Sequence, residues 1–138
     1  MRLKIYKEVA TSVPLKKVKQ LFAEIYGTKK SGTVNIVFTN DKQMKQLNAQ
    51  FRKKDKTTDV LSFNIETDPV AEEQVFGEIY ISVAVATKQA KEYETTLKEE
   101  YLRLICHGFL HLLGYDHIKK SDAVKMQSAE QHYLGMLN

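Results

Sequence analysis

The sequence predicts an α+β fold, with a small mixed sheet of about four strands packed with about five helices. Two observations indicate this class. Short runs rich in β-branched residues are interspersed with helical patterns up to about residue 94, and only helical patterns follow. The 138 residues, of which 43% are hydrophobic, also suffice for one domain with a substantial core. Residues 1–138 are therefore predicted to form a single domain.

The first half of the chain has the pattern of two strand–helix pairs. Residues 2–9 alternate with the period of a strand, and residues 34–38 form a second strand rich in β-branched side chains. Pro14, tolerated in a first helical turn, opens the first helix, and Gly27 can end it in a left-handed conformation. The second helix follows residue 40. The side chains predicted to share a face are Leu15, Val18, Leu21, Phe22 and Ile25 in the first helix and Met44, Leu47, Asn48 and Phe51 in the second.

Two further strands are predicted at residues 60–65 and 74–82. Polar stretches lie on both sides of the first of them. Residues 52–59 contain no apolar side chain and are predicted to form a loop. The segment of residues 66–73 is rich in acidic side chains and contains Pro69, and it is predicted to form an exposed connection.

Three helices are predicted to complete the chain. An alanine-rich helix covers about residues 83–94. Thr96 and Glu99 match a capping box, which opens a helix that Gly114 ends. The last helix ends near residue 136, and its candidate N-caps are Ser121 and Asp122.

Composition excludes several classes of protein. The formal net charge of +4 and the pI of about 9.0 permit a phosphate-rich partner without requiring one. Uninterrupted apolar stretches span only a few residues, and residues 1–7 carry charges instead of a secretory apolar run. Cys106 is the one cysteine, which excludes an internal disulfide framework and fits a reducing compartment. We therefore expect a cytoplasmic protein without a membrane partner.

Three of the four histidines lie between residues 107 and 117. His107 and His111 are four residues apart, so on a helix they share one face and can reach the same ion. Gly114 breaks the helix, and the turn after it can bring His117 back towards the pair. Three neutral imidazoles with one open coordination position are typical of a catalytic zinc site. A metal site is therefore predicted on the penultimate helix and the turn that follows it.

Other side chains near these histidines are assigned different roles. Cys106 lies about 100° around the helix from the first histidine and is interpreted as a core residue. Asp116 is another possible ligand, but it is interpreted first as a turn former or as a carboxylate that orients a ligand histidine through its second ring N–H. His132 stands apart in the last helix and is interpreted as a surface residue. Phe63 and Tyr115 are interpreted as core packing.

The spacing H-x-x-x-H-x-x-G-x-x-H matches the ligand set of the metzincin peptidases. Peptidases with an H-E-x-x-H motif carry a glutamate general base after the first histidine, and here that position is Gly108. A zinc metallopeptidase or another metallohydrolase therefore remains an alternative, with a base supplied from elsewhere. A third hypothesis is a non-catalytic RNA- or ribosome-binding module, in which zinc mainly stabilises the histidine turn.

The block of residues 107–117, with its trailing Leu-Gly-Tyr-Asp-His, resembles the signature of the YbeY-type endoribonucleases, a family of bacterial rRNA maturation factors. The segment of residues 52–63 is similar to the basic loop and strand of that family. Gly77-Glu78-Ile79 is similar to the family's Gly-Asp-Ile, with Glu for Asp. Asn64 departs from the family pattern, which usually has proline there. The resemblance covers essentially the whole chain.

This resemblance implies a zinc-dependent endoribonuclease, specific for single-stranded RNA, that acts in 16S rRNA 3′-end maturation and ribosome quality control. It implies that His107, His111 and His117 hold one zinc ion, with water at the open position, and that Arg52 is catalytic. A guanidinium suits the negative charge on phosphoryl oxygens because it offers paired N–H donors. The implied partners are rRNA and the ribosome or its small subunit. Imidazoles also accept nickel and copper, and the nucleophile can be water or the RNA 2′-hydroxyl.

Overall fold

A computed structural model describes residues 1–27, 32–52, 60–64, 75–115 and 120–137. The strands within these residues are β1 (Arg2–Lys7), β2 (Thr33–Thr39), β3 (Val60–Asn64) and β4 (Val75–Ser82). The helices are α1 (Leu15–Tyr26), α2 (Asp41–Arg52), α3 (Val83–Glu92), α4 (Leu97–Leu112) and α5 (Lys120–Gly135). The predicted α+β class is confirmed. The single domain over residues 1–138 stays a prediction.

The strands form one mixed sheet in the order β1-β2-β4-β3. β1, β2 and β4 run parallel, and β3 pairs antiparallel with β4 at one edge. A parallel pair requires a crossover connection, which α1 provides between β1 and β2. β2 has neighbours on both sides and is buried at every position except Asn35, which fits the apolar run Ile36, Val37 and Phe38 at its centre.

Apolar side chains lie on both faces of the sheet. Ile36 and Ile79 face the main core, where α4 packs against the sheet and also contacts α1 and α5. Because side chains alternate along a strand, Val37 and Leu61 point to the opposite face, where α2 contacts β4 and contributes the fully buried Met44. α4 is therefore enclosed over most of its surface, and its partly exposed flank carries His107 and His111.

Hydrogen bonds define both ends of α4. At its start the Thr96 hydroxyl accepts a hydrogen bond from the Glu99 backbone N–H at 3.1 Å, and donates one to the Glu99 carboxylate at 3.0 Å. The predicted N-cap is confirmed. At its end the Leu113 N–H turns back to the Leu110 carbonyl, three residues away. The Phe109 carbonyl accepts instead from the buried Tyr26 hydroxyl at 2.8 Å, which ties the last turn of α4 to α1.

Several predicted boundaries differ from the structure by one or two residues. β1 ends at Lys7 instead of residue 9, and α5 begins at Lys120, just before its candidate caps. The predicted loop at residues 52–59 includes Arg52, which is wrong, because α2 continues through it. A polar run without Gly or Pro does not by itself stop a helix, and arginine is a good helix former. The predicted connections at residues 53–59 and 66–73 lie outside the described residues.

No helix among the described residues is long and apolar enough to cross a membrane.

Candidate active site

Gly108 allows α4 to lie close against the sheet. A Cβ atom at this position would lie 2.9 Å from Ile79 Cδ1 and 3.1 Å from both Cγ atoms of Ile79. Residue 108 therefore points at β4, in the core. A glutamate general base of the H-E-x-x-H kind would have to stand at this position, so the fold offers that base no access to the histidines.

Gly114 closes the end of α4 in a Schellman motif. Its φ is +103°, a left-handed conformation that favours glycine. The Gly114 N–H donates to the His111 carbonyl at 3.0 Å, and the Tyr115 N–H donates to the Leu110 carbonyl at 3.1 Å. The predicted end of the helix at Gly114 is confirmed. The turn brings the backbone of Tyr115 back over the last helical turn.

This turn supplies the hydrogen-bond acceptor for His111. The His111 Nδ1 atom lies 2.8 Å from the backbone carbonyl oxygen of Tyr115. A carbonyl oxygen can only accept, so Nδ1 carries the proton. In the neutral ring the lone pair is then on Nε2, which is the nitrogen that this tautomer can offer to a metal ion.

A carboxylate is the hydrogen-bond acceptor for His107. The His107 Nδ1 atom lies 2.7 Å from Glu130 Oε1, on α5. The two side chains are 29% and 22% exposed, so the pair lies at the edge of the α4–α5 contact. The carboxylate also accepts only, and the neutral His107 ring therefore has its lone pair on Nε2.

The two rings suit a shared metal ion. Their centroids are 5.9 Å apart and their planes are inclined by 42°. Two imidazoles that bind one tetrahedral zinc ion at about 2.0–2.1 Å would have centroids about 5 Å apart. The observed separation is about 1 Å larger than this value. A metal-ligating histidine usually donates its second ring N–H to a carboxylate or a carbonyl, as both of these do.

Two of the three predicted ligands lie among the residues that the structure describes. His107 and His111 lie together, whereas His117 and Asp116 lie outside the described residues. Among the residues that are described, no three His, Cys, Asp or Glu side chains form a metal-binding group. Arg52 is placed through its backbone at the end of α2, and its side chain is outside the description. The complete ligand set and the role of Arg52 stay predictions.

The role of Glu130 was not predicted from the sequence, and the predicted role of Tyr115 is wrong. The separation of 23 residues between His107 and Glu130 gives no local signal, and the pair forms only because α5 packs against α4. Tyr115 was interpreted as core packing, which is wrong, because it is 36% exposed. Its backbone carbonyl contacts His111, and a backbone group has no signature in the sequence. The surface position of His132 is confirmed.

Cys106 is a core residue, as predicted, and its thiol stays protonated at neutral pH. The side chain is fully buried. Burial, and to a lesser extent the negative charge of Glu130, raise the pKa of the thiol to about 12. The thiolate is the form that binds metals and attacks electrophiles. Cys106 is therefore a poor ligand at neutral pH.

We expect Cys106 to be unreactive towards a disulfide-based thiol reagent at pH 8 in the native protein and to react fully in denaturant. The free energy of unfolding should also fall as the pH rises above 9.0, the ordinary pKa of the thiol. In that range the unfolded chain loses the Cys106 proton, whereas the native protein keeps it. Reaction of the native protein as fast as that of the unfolded protein would contradict the assignment.

Gly114→Ala is expected to destabilise the protein by about 1–2 kcal/mol, the cost of a left-handed conformation for a residue with a Cβ atom. No heavy atom lies within 4 Å of a Cβ built at this position, so the cost would be conformational. Denaturant unfolding measures the loss. Gly135→Ala is the matched control, because Gly135 also has open space around its Cβ position but no positive φ. Equal stability of the two variants would contradict the expectation.

The fold and the paired histidines define an α+β protein that offers two imidazole nitrogens from one flank of a helix, a type of site that suits metal-dependent hydrolysis. Residues 4–138 match the family described as Endoribonuclease YbeY. The chain belongs to this family. It is thereby an enzyme of the endoribonuclease class, hydrolases that act on the phosphodiester bonds of RNA.

Relatives named Endoribonuclease YbeY align with much of the chain. The one from Thermodesulfovibrio yellowstonii is 34% identical over 94% of this chain and 89% of its own length. The one from Nautilia profundicola is 40% identical over 83% and 79%, and the one from Finegoldia magna 39% identical over 73% and 66%. The solution structure of TM1509 from Thermotoga maritima has 31% identity, covers 97% of this chain and 90% of that one, and gives a TM-score of 0.60.

Proposed function

We propose that this chain is a zinc-dependent endoribonuclease that cleaves single-stranded RNA in the cytoplasm. Its proposed role is 16S rRNA 3′-end maturation and ribosome quality control, with the ribosome or its small subunit as partner. One observation carries the metal dependence. His107 and His111 both direct Nδ1 at an oxygen acceptor, so in the neutral rings the lone pairs that could bind an ion are on the Nε2 atoms. Family membership supports the reaction class.

In this proposal His107, His111 and His117 hold one zinc ion and leave one position open. When bound, zinc supplies Lewis acidity, which polarises a phosphoryl oxygen and makes water acidic enough to act as a nucleophile. The chain's own residues fix the two helical imidazoles. Glu130 accepts from His107 and the Tyr115 carbonyl accepts from His111, so each ring is held in one tautomer.

Arg52 has a separate role in the proposal. In phosphodiester cleavage, negative charge accumulates on the oxygens around phosphorus, and a guanidinium can donate two parallel N–H bonds to them. Lys53, Lys54 and Lys56 follow it in the sequence and would attract RNA phosphates without regard to base sequence. The support for Arg52 is its match to the family's arginine.

The test uses the purified protein with its metal content measured. It is incubated with an end-labelled single-stranded RNA, with the same RNA in a duplex, and with an unstructured peptide. We expect cleavage of the single strand alone, loss of cleavage with a chelator and recovery on addition of zinc. Equal cleavage in the presence of chelator would contradict metal dependence. Zinc-loaded protein that binds the RNA without cutting it would favour the binding-module hypothesis.

The ends of the products identify the nucleophile. Attack by the RNA 2′-hydroxyl leaves a 2′,3′-cyclic phosphate, which hydrolysis by external water cannot produce. Substrate with a single 2′-deoxynucleotide at the cut site provides the control, because it blocks the first route and leaves the second open.

A further inference from the structure

Glu130 occupies a position that the packing of α5 determines. It lies four residues after Met126, whose side chain is 2% exposed and belongs to the core cluster. Residues four apart share a helix face, so the face of α5 that buries Met126 against the core also presents Glu130 to α4. The carboxylate therefore reaches His107 from a second helix whose docking is set by apolar contacts.

The His107–Glu130 contact is a weak source of stability. Both side chains are partly exposed, and contacts in such surroundings add little to stability. The contact has a larger consequence for the ring itself. A hydrogen bond to Nδ1 decides which nitrogen of a neutral imidazole carries the proton and which carries the lone pair, and it restrains rotation of the ring.

The two helical histidines are held by acceptors of different kinds. His111 donates to an uncharged carbonyl in the turn that follows its own helix, whereas His107 donates to a carboxylate on another helix. A carboxylate partner raises the basicity of a ligating imidazole. Of the two, His107 is therefore the ring whose behaviour as a ligand depends on a removable side chain.

We infer that Glu130 is a positioning residue, which holds His107 as the Nδ1–H tautomer and directs its Nε2 atom to a divalent cation at the histidine site. This inference rests on the proposed function, because it takes His107 as a ligand. Removal of an orienting partner of this kind typically costs about 10- to 100-fold in metal affinity. Glu130→Ala should fall in that range. Glu130→Gln keeps an acceptor oxygen of similar reach, so it should lose less than Glu130→Ala.

The test measures zinc affinity by competition with a chromophoric chelator, and the tautomer of His107 by nitrogen-15 NMR of the metal-free protein. We expect the Nδ1–H tautomer in the native protein and in Glu130→Gln, and a mixture of tautomers in Glu130→Ala. Gln131→Ala is the matched control, because Gln131 is the exposed neighbour on the same helix. It should change neither readout.

The possible results separate the inference from the proposed function. Unchanged zinc affinity and an unchanged tautomer in Glu130→Ala would overturn the inference even if the protein cleaves RNA in a zinc-dependent manner. Loss of zinc from Glu130→Gln as complete as from His107→Ala would also overturn it, because Glu130 would then be a ligand. The expected affinity and NMR changes in a protein that cuts no RNA would support the inference and contradict the proposed function.

Discussion

His111→Ala is expected to abolish stoichiometric zinc binding and to reduce RNA cleavage by more than about 100-fold, the upper end of the loss seen when a residue that only orients a metal ligand is removed. The variant loses one of three proposed ligands and also the imidazole that donates to the Tyr115 carbonyl. His107→Ala should behave alike, because its ring lies on the same flank, 5.9 Å away between centroids. Metal content and the initial rate of cleavage measure the two effects.

His132→Ala is the matched control for metal content. His132 is exposed on α5, and its ring contacts the ring of Tyr133. The control should retain one equivalent of zinc. If His111→Ala and His107→Ala both retain zinc and full activity, the histidine flank of α4 is not the metal site, and cleavage by a contaminating nuclease becomes the first explanation to examine.

Gly108→Glu restores the H-E-x-x-H sequence, yet we expect it to unfold the protein instead of creating a peptidase. The new side chain would point at Ile79. Its Cβ atom alone would lie 2.9 Å from Ile79 Cδ1, which is closer than van der Waals contact allows. An unpaired carboxyl group in an apolar core costs several kcal/mol, which is a large part of the stability of a domain of this size. Thermal unfolding and an assay with an unstructured peptide measure the two outcomes.

Gly108→Ala tests the same contact with less disruption. Alanine gains about 1 kcal/mol in helix propensity over glycine, whereas an added methyl group in a packed core costs about 1–3 kcal/mol. Both Cγ atoms of Ile79 lie at 3.1 Å, so a rotamer change would not relieve the contact. We therefore expect a net loss of stability in denaturant unfolding.

Two variants complete this comparison. Ile79→Val removes the closest carbon, at 2.9 Å, and should make Gly108→Ala less costly in a double-mutant cycle. Gly135→Ala, where nothing lies within 4 Å of the added methyl group, should be neutral or stabilising. If Gly108→Ala stabilises the protein as much as this control does, α4 is not held against β4 as described. Peptide cleavage by folded Gly108→Glu would revive the peptidase hypothesis.

Local patterns in the sequence predicted most of the elements. The apolar spacing of α1, the cap of α4 at Thr96 and the end of α4 at Gly114 each depend on residues close in sequence, and the structure has them. The sheet order β1-β2-β4-β3 and the position of α2 on the second face had no such signal, because they depend on contacts between distant segments.

The same division applies to the candidate site. The i, i+4 spacing brought His107 and His111 together from the sequence alone, because helical geometry fixes it. Gly108 was understood only as the absence of a base, and the structure adds the close contact with Ile79 that requires glycine. The role of Glu130 could not be predicted, because it depends on the docking of α5 on α4. The acceptor of His111 is a backbone atom, which any residue at position 115 could provide.

The attachment of α5 has a consequence for local motion. Among its own described residues, Met126 alone is buried, with partly buried Ala129, Tyr133 and Leu134 beside it. A helix held by so few buried groups can open without unfolding the sheet. Opening would carry Glu130 away from His107, so an ion bound at His107 would favour the closed form by mass action. The backbone amides of α5 would then exchange with deuterium more slowly when zinc is present. Because α5 carries no proposed ligand, its exchange rate would measure occupancy of the metal site from outside that site.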